Sequence, residues 1–162
     1  MKTKITTLLA VLIASACATQ PDTPAGRAAI VKKETAKVET TPGATSTAWT
    51  LRGYQKAMAE RICEVNSTHV YVGRPQALLR SVIVLKYTID GDGRLTHSEV
   101  VRTNHDGVTQ ATALASIKRT APFPKPASHL LHNGHVELTE TWLFNNDGRF
   151  QLRTIAQPQL SE

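Results

Sequence analysis

The chain has 162 residues, with 19 lysines and arginines against 13 aspartates and glutamates, a formal charge of +6. The basic residues are scattered and form no basic-aromatic cluster, which argues against a nucleic-acid surface. No G-x-S-x-G, phosphate-binding loop or dinucleotide fingerprint is present. The first element in chain order is a leader. Lys2 and Lys4 form a short basic stretch, and Ile5 to Ala16 is apolar or small apart from Thr6, Thr7 and Ser15. A run of about a dozen such residues has the length of a signal-peptide core. It falls short of the roughly 20 residues that a membrane-spanning helix needs.

The leader ends in Ala14-Ser15-Ala16-Cys17, small residues running into a cysteine. This resembles the bacterial lipobox, although Ala14 stands where Leu is usual. The resemblance implies cleavage before Cys17 and lipidation of its thiol, so the membrane is an expected partner through that anchor. Residue 18 is Ala rather than Asp. By resemblance to the sorting rule of enteric bacteria, this favours the periplasmic face of the outer membrane over the inner membrane. A mature chain of about 146 residues fits one domain and a tail. With Cys17 acylated, Cys63 has no cysteine left to pair with, and no intramolecular disulfide is expected. Without Lys2 and Lys4 the charge is near +4, suited to anionic surfaces such as headgroups or peptidoglycan-associated polymers.

Residues 17–48 read as the anchored cysteine and a Thr/Ala/Pro/Lys linker that cannot bury enough surface to offset its ordering entropy. Thirty such residues span about 30 Å as a flexible chain. Residues 49–162 read as the folded domain. Leu51, Tyr54, Met58, Ile62 and Val65 follow helical spacing, and Asn66-Ser67 ends that helix. Tyr71 to Pro75 is a loop. From Ser81 to Ile89 the residues alternate, with Ile83, Leu85, Tyr87 and Ile89 on one face and Val82, Val84, Lys86 and Thr88 on the other. Asp90-Gly91-Asp92-Gly93 is a hairpin turn, and Leu95 to Arg102 is the returning strand. Asn104 to Gly107 can cap a second helix lined by Val108, Ala111, Ala115, Leu114 and Ile117, which ends before Pro122. After the stiff Pro122–Pro126 stretch, His135 to Asn145 is a third strand with Val136, Leu138, Trp142 and Phe144 on one face. Phe150 to Ile155 is a short fourth. The order predicts an α+β fold, two short helices on a three- to four-stranded antiparallel sheet.

From about Arg80 to Phe144 the chain resembles the C-terminal domain of the TonB/TolA energy-transducer superfamily. The stretches that carry this are Tyr87 to Leu95, the helix with Ala111, Ala113, Leu114 and Ile117, the run Ala121 to Pro126 that follows it directly, Gly134 ahead of the last core strand, and Phe144 closing it. The helix with Tyr54 and Ile62 resembles the leading helix of the TolA-type version. The chain departs from TonB proteins at its N-terminus, where they carry an uncleaved inner-membrane helix with a functional His. The apolar segment here has no His and ends in a cysteine, which puts direct use of the proton gradient in doubt.

The resemblance implies binding of extended segments of envelope proteins by strand addition. Candidate edges are the third strand (His135, Glu137, Thr139, Thr141, Leu143) and the final segment (Arg149, Gln151, Arg153). Charges there, Glu140 included, also discourage aggregation. The family can pair with itself through its last strand, which keeps a homodimer among the expected partner arrangements. The expected function is a non-catalytic interaction module in envelope transport or integrity. The alternatives are an accessory structural subunit of an envelope-spanning, secretion-type assembly, and a small metal-binding or hydrolytic lipoprotein. For the last, His129, His132 and His135 are spaced three apart, as zinc ligands on a helix would be, but Asn133-Gly134 breaks a helix there. Asp90 to Gly93 lacks the remaining ligands of a calcium loop, and no cofactor or metal is expected. Cys63, beside Ile62 and Val65, is expected to be a buried structural thiol.

Overall fold

The computed structural model describes residues 43–161. The leader, Cys17 and the first part of the linker lie outside the described residues. The elements are α1 (Leu51–Val65), β1 (Ser81–Asp90), β2 (Leu95–Arg102), α2 (Gly107–Thr120), β3 (His135–Phe144) and β4 (Phe150–Leu152). The strands form one antiparallel sheet in the order β2-β1-β3-β4. Two helices against a four-stranded antiparallel sheet make this an α+β fold. Among the described residues no helix is long and apolar enough to cross a membrane.

Local chemistry sets each boundary. Thr50 caps α1 by accepting the Gly53 N–H at 3.0 Å. Asp106 caps α2 through the Val108 and Thr109 amides, and the Arg80 guanidinium 2.7 Å away holds its carboxyl below the usual carboxylate range. In the β1–β2 hairpin the Asp90 carboxylate accepts the Asp92 and Arg94 amides at 2.9 and 2.8 Å. Gly93 stands at φ +83°, and its carbonyl accepts the Phe123 N–H at 2.7 Å. A Cβ at Gly93 would lie 2.1 Å from the Phe123 carbonyl oxygen. The hairpin turn and the Pro-rich connector, far apart in sequence, are thus seated on one another.

The core lies between the helices and one face of the sheet. Alternation along β1 buries Ile83, Leu85, Tyr87 and Ile89 completely, and β3 adds Val136, Leu138, Trp142 and Phe144. α1 contributes Tyr54, Ala57, Met58 and Ile62. Burial of each large side chain is worth about 1.5–3 kcal/mol.

The structure corrects the expected face of α2 in part, since Ile117 and Leu114 do pack on the core as expected. Val108 is 66% exposed and Ala111 and Ala115 are exposed, whereas Thr109, Ala113, Ser116, Ile117 and Thr120 are buried. The buried hydroxyls are satisfied locally. Ser116 Oγ donates to the Ala113 carbonyl at 2.8 Å, and Thr120 Oγ1 to the Ser116 carbonyl at 2.7 Å. Small hydroxylated residues let α2 sit close to the sheet, where the Trp142 indole N–H donates to Ser116 Oγ at 3.0 Å. Asn66 at the end of α1 joins the same network, with its Nδ2 directed at the Ile62 and Ser116 carbonyls and at Thr120 Oγ1.

The expected linker boundary also moves. Ser46 and Ala48 are buried, and residues 44–46 run beside the connector, with Ser46 N–H donating to the Lys125 carbonyl and Lys125 N–H to the Ala44 carbonyl, each at 2.8 Å. β4 is shorter than expected, because the chain turns at residues 153–155.

Candidate partner-binding edge

β3 is neither a free edge nor a fully paired central strand. On one side it pairs with β1 along its whole length, from Asp90↔His135 to Ser81↔Phe144. On the other side β4 reaches only Trp142, Leu143 and Phe144, and Arg153 N–H adds one bond to the Thr141 carbonyl at 2.9 Å. Alternation turns the main-chain groups of His135, Glu137, Thr139, Thr141 and Leu143 toward that second side. These are the five β3 positions singled out from sequence, and the structure divides them. His135 exchanges both main-chain bonds with His132. Leu143 pairs with Gln151. Between them, the Glu137 N–H and C=O and the Thr139 N–H make no hydrogen bond among the described residues.

Side chains occupy the groups next to this gap. Gln55 of α1 donates its Nε2 to the Thr139 carbonyl at 2.7 Å. Glu140 Oε1 accepts the Thr141 N–H at 2.8 Å and the Thr154 N–H at 3.3 Å. Beside the gap is a recess of about 350 Å³ lined by Arg52, Gln55, Thr139, Glu140, Arg153 and Thr154.

Glu140 is not a surface charge of the edge. It shares the core-facing parity of Leu138 and Trp142 and is only 2% exposed. Its Oε2 and the nearby Tyr87 hydroxyl are buried without a partner among the described residues. Burial raises the Glu140 carboxyl above the ordinary carboxylate range, against the opposing pull of the Thr141 and Thr154 groups. Sequence reading missed Glu140, Gln55 and Arg52 as parts of the site. Strict parity along β3 signals Glu140, but nothing local signals the two α1 residues.

The expected second edge is covered. β4 is outermost, but Tyr71 N–H donates to the Phe150 carbonyl at 2.9 Å, and Gln151 Nε2 donates to the carbonyls of Tyr71 and Gly73. Arg149 is tied to Asp147 and lies 5.0 Å over the Tyr71 ring. Of the three residues named there, Arg153 alone borders the gap.

The histidines are drawn apart in role. His129 Nε2–H donates to the Trp49 carbonyl at 2.8 Å, with its ring 4.4 Å from the indole. His132 and His135 meet through their main chains. Among the described residues no group of three His, Cys, Asp or Glu is arranged to hold a metal ion. Cys63 is half-buried against β4, and burial pushes its thiol up to about 11.

No protein-family model, no curated protein and no solved structure matches this chain.

Proposed function

We propose that this chain is a lipid-anchored, non-catalytic interaction module of the bacterial envelope, related to the TonB/TolA C-terminal domains, that captures extended segments of partner proteins by β-strand addition. The observation that carries this reading is the half-paired third strand. Unbonded main-chain groups at Glu137 and Thr139, beside a recess, are the template that an incoming strand needs. The anchor rests on the leader and Cys17.

Two experiments test the two parts. Cys17→Ser releases the protein from membranes to the soluble periplasmic fraction and abolishes palmitate incorporation; retention of the variant in membranes overturns the anchor. A photo-crosslinking residue at Glu137 captures a discrete partner in intact cells, whereas one at Lys118, beside β2, does not. The same products from both positions overturn strand addition at β3.

A further inference from the structure

The recess beside the open stretch of β3 is cationic, and its cations are unspent. Arg61, Arg80, Arg94 and Arg149 are each ion-paired with a carboxylate. Arg52 and Arg153 make no ion pair and no side-chain hydrogen bond among the described residues, yet both line this recess. Arg153 also borders a second groove of about 620 Å³ on the opposite face of the sheet, which it shares with Arg102, likewise without an ion pair among the described residues.

The one carboxyl that lines the recess cannot serve these arginines well. Glu140 is 2% exposed, its Oε1 is engaged by the Thr141 and Thr154 amides, and although Arg153 pulls its carboxyl toward the charged form, burial pulls harder the other way and no ion pair joins it to either arginine among the described residues. Glu137, the nearest exposed carboxylate on β3, has the opposite parity and pairs with Lys86 across the sheet at 3.4 Å. The recess therefore presents guanidinium donors with no exposed anion of its own.

We infer that the segment captured at β3 is acidic, with a carboxylate side chain held in the Arg52–Arg153 recess while its backbone bonds to Glu137 and Thr139. This inference rests on the strand-addition reading and adds the chemistry of the partner. The geometry is consistent at the level of faces. Residues directly opposite each other in adjacent strands point to the same side of the sheet, so the partner residue opposite Glu140 faces α1, where Arg52 and Gln55 stand. A lipid headgroup also offers an anion, but it has no alternating donors and acceptors for the free main-chain groups at Glu137 and Thr139. An extended peptide satisfies both.

The test uses the full-length chain carrying Cys17→Ser and a terminally blocked peptide of alternating Thr and Val with Glu, Gln or Lys at its centre. Amide shifts locate binding and fluorescence anisotropy gives affinity. The Glu peptide shifts the Glu137 and Thr139 amides and binds about tenfold more tightly than the Gln peptide, the equivalent of one charge-assisted hydrogen bond. The Lys peptide is weakest. Arg52→Gln with Arg153→Gln brings the Glu peptide down to the Gln level and leaves the Gln peptide unchanged. If Glu and Gln peptides shift the β3 amides with equal affinity, the acidic preference falls and strand addition stands. If no peptide shifts those amides, strand addition itself falls. If the peptides are not distinguished while phosphatidylglycerol vesicles bind in an Arg52- and Arg153-dependent manner, the arginines serve the membrane and the inference is overturned.

Discussion

The two ends of β3 are built from the same alternation and come to opposite states. At the Phe144 end both neighbours are in place. Trp142 and Phe144 are fully buried, Phe150 lies 5.6–6.5 Å from their rings, and α2 supplies Ser116 to the indole. At the Glu137 end the strand has β1 on one side and no strand on the other, and side chains from Gln55 and Glu140 occupy the neighbouring main-chain groups. A single strand can therefore anchor a core at one end and keep unbonded main-chain groups at the other, provided its second neighbour is short. The difference lies in β4, which turns away after Leu152.

The largest expected effect breaks the closed end. Trp142→Ala empties a fully buried site and removes the indole from Ser116, costing about 3–5 kcal/mol in chemical denaturation.

The next contrast separates the two sides of the strand at adjacent residues. Leu138→Pro removes a ladder bond to β1 together with a buried leucine side chain, whose loss costs about 2–5 kcal/mol. Thr139→Pro removes an N–H that faces the gap, so its denaturation midpoint stays well above that of Leu138→Pro while peptide binding at β3 is lost. Equal destabilisation by the two prolines would mean that the Thr139 N–H is structurally committed after all.

The smallest effect sharpens the open end. Burial raises the Glu140 pKa in the folded state, so folding favours its protonated form. That contribution is fully present below about pH 4, near the ordinary value for a free Glu, and is lost as pH rises through the raised value. Glu140→Gln keeps an acceptor for the Thr141 and Thr154 amides and removes the titration. Its stability relative to the parent chain increases between pH 4 and pH 8, as read by thermal melts. A parallel pH dependence of the two proteins would assign the slope to other groups.

What was readable in the sequence follows from what generates a pattern. β1 announces itself because every second residue from Ile83 to Ile89 is large and apolar. α1 does so through Tyr54, Met58 and Ile62. α2 is only partly legible: Ile117 is buried and Leu114 partly so, as expected, but Val108, Ala111 and Ala115 are not, because Thr109, Ser116 and Thr120 take buried positions and their hydroxyls bond to nearby groups. Glu140 reads from sequence as a surface charge of the edge for a related reason: a charged residue at a core-parity position looks exposed until its amide partners are seen. Which side of β3 lacks a partner could not be read at all, since pairing is a property of two strands and the extent of β4 is fixed by the turn at residues 153–155.

The short contact between residues 44–46 and Lys125 has a mechanical consequence. A pull on the chain from its N-terminal side meets two main-chain bonds at Lys125 before it reaches α1. From there the load passes into the Pro122–Pro126 segment, which the Tyr54 hydroxyl grips at the Pro124 carbonyl at 2.7 Å and the Gly93 carbonyl grips at the Phe123 amide. The arrangement works as a cable clamp. A load entering there is spread into the connector and the hairpin turn, on the side of the sheet away from β4.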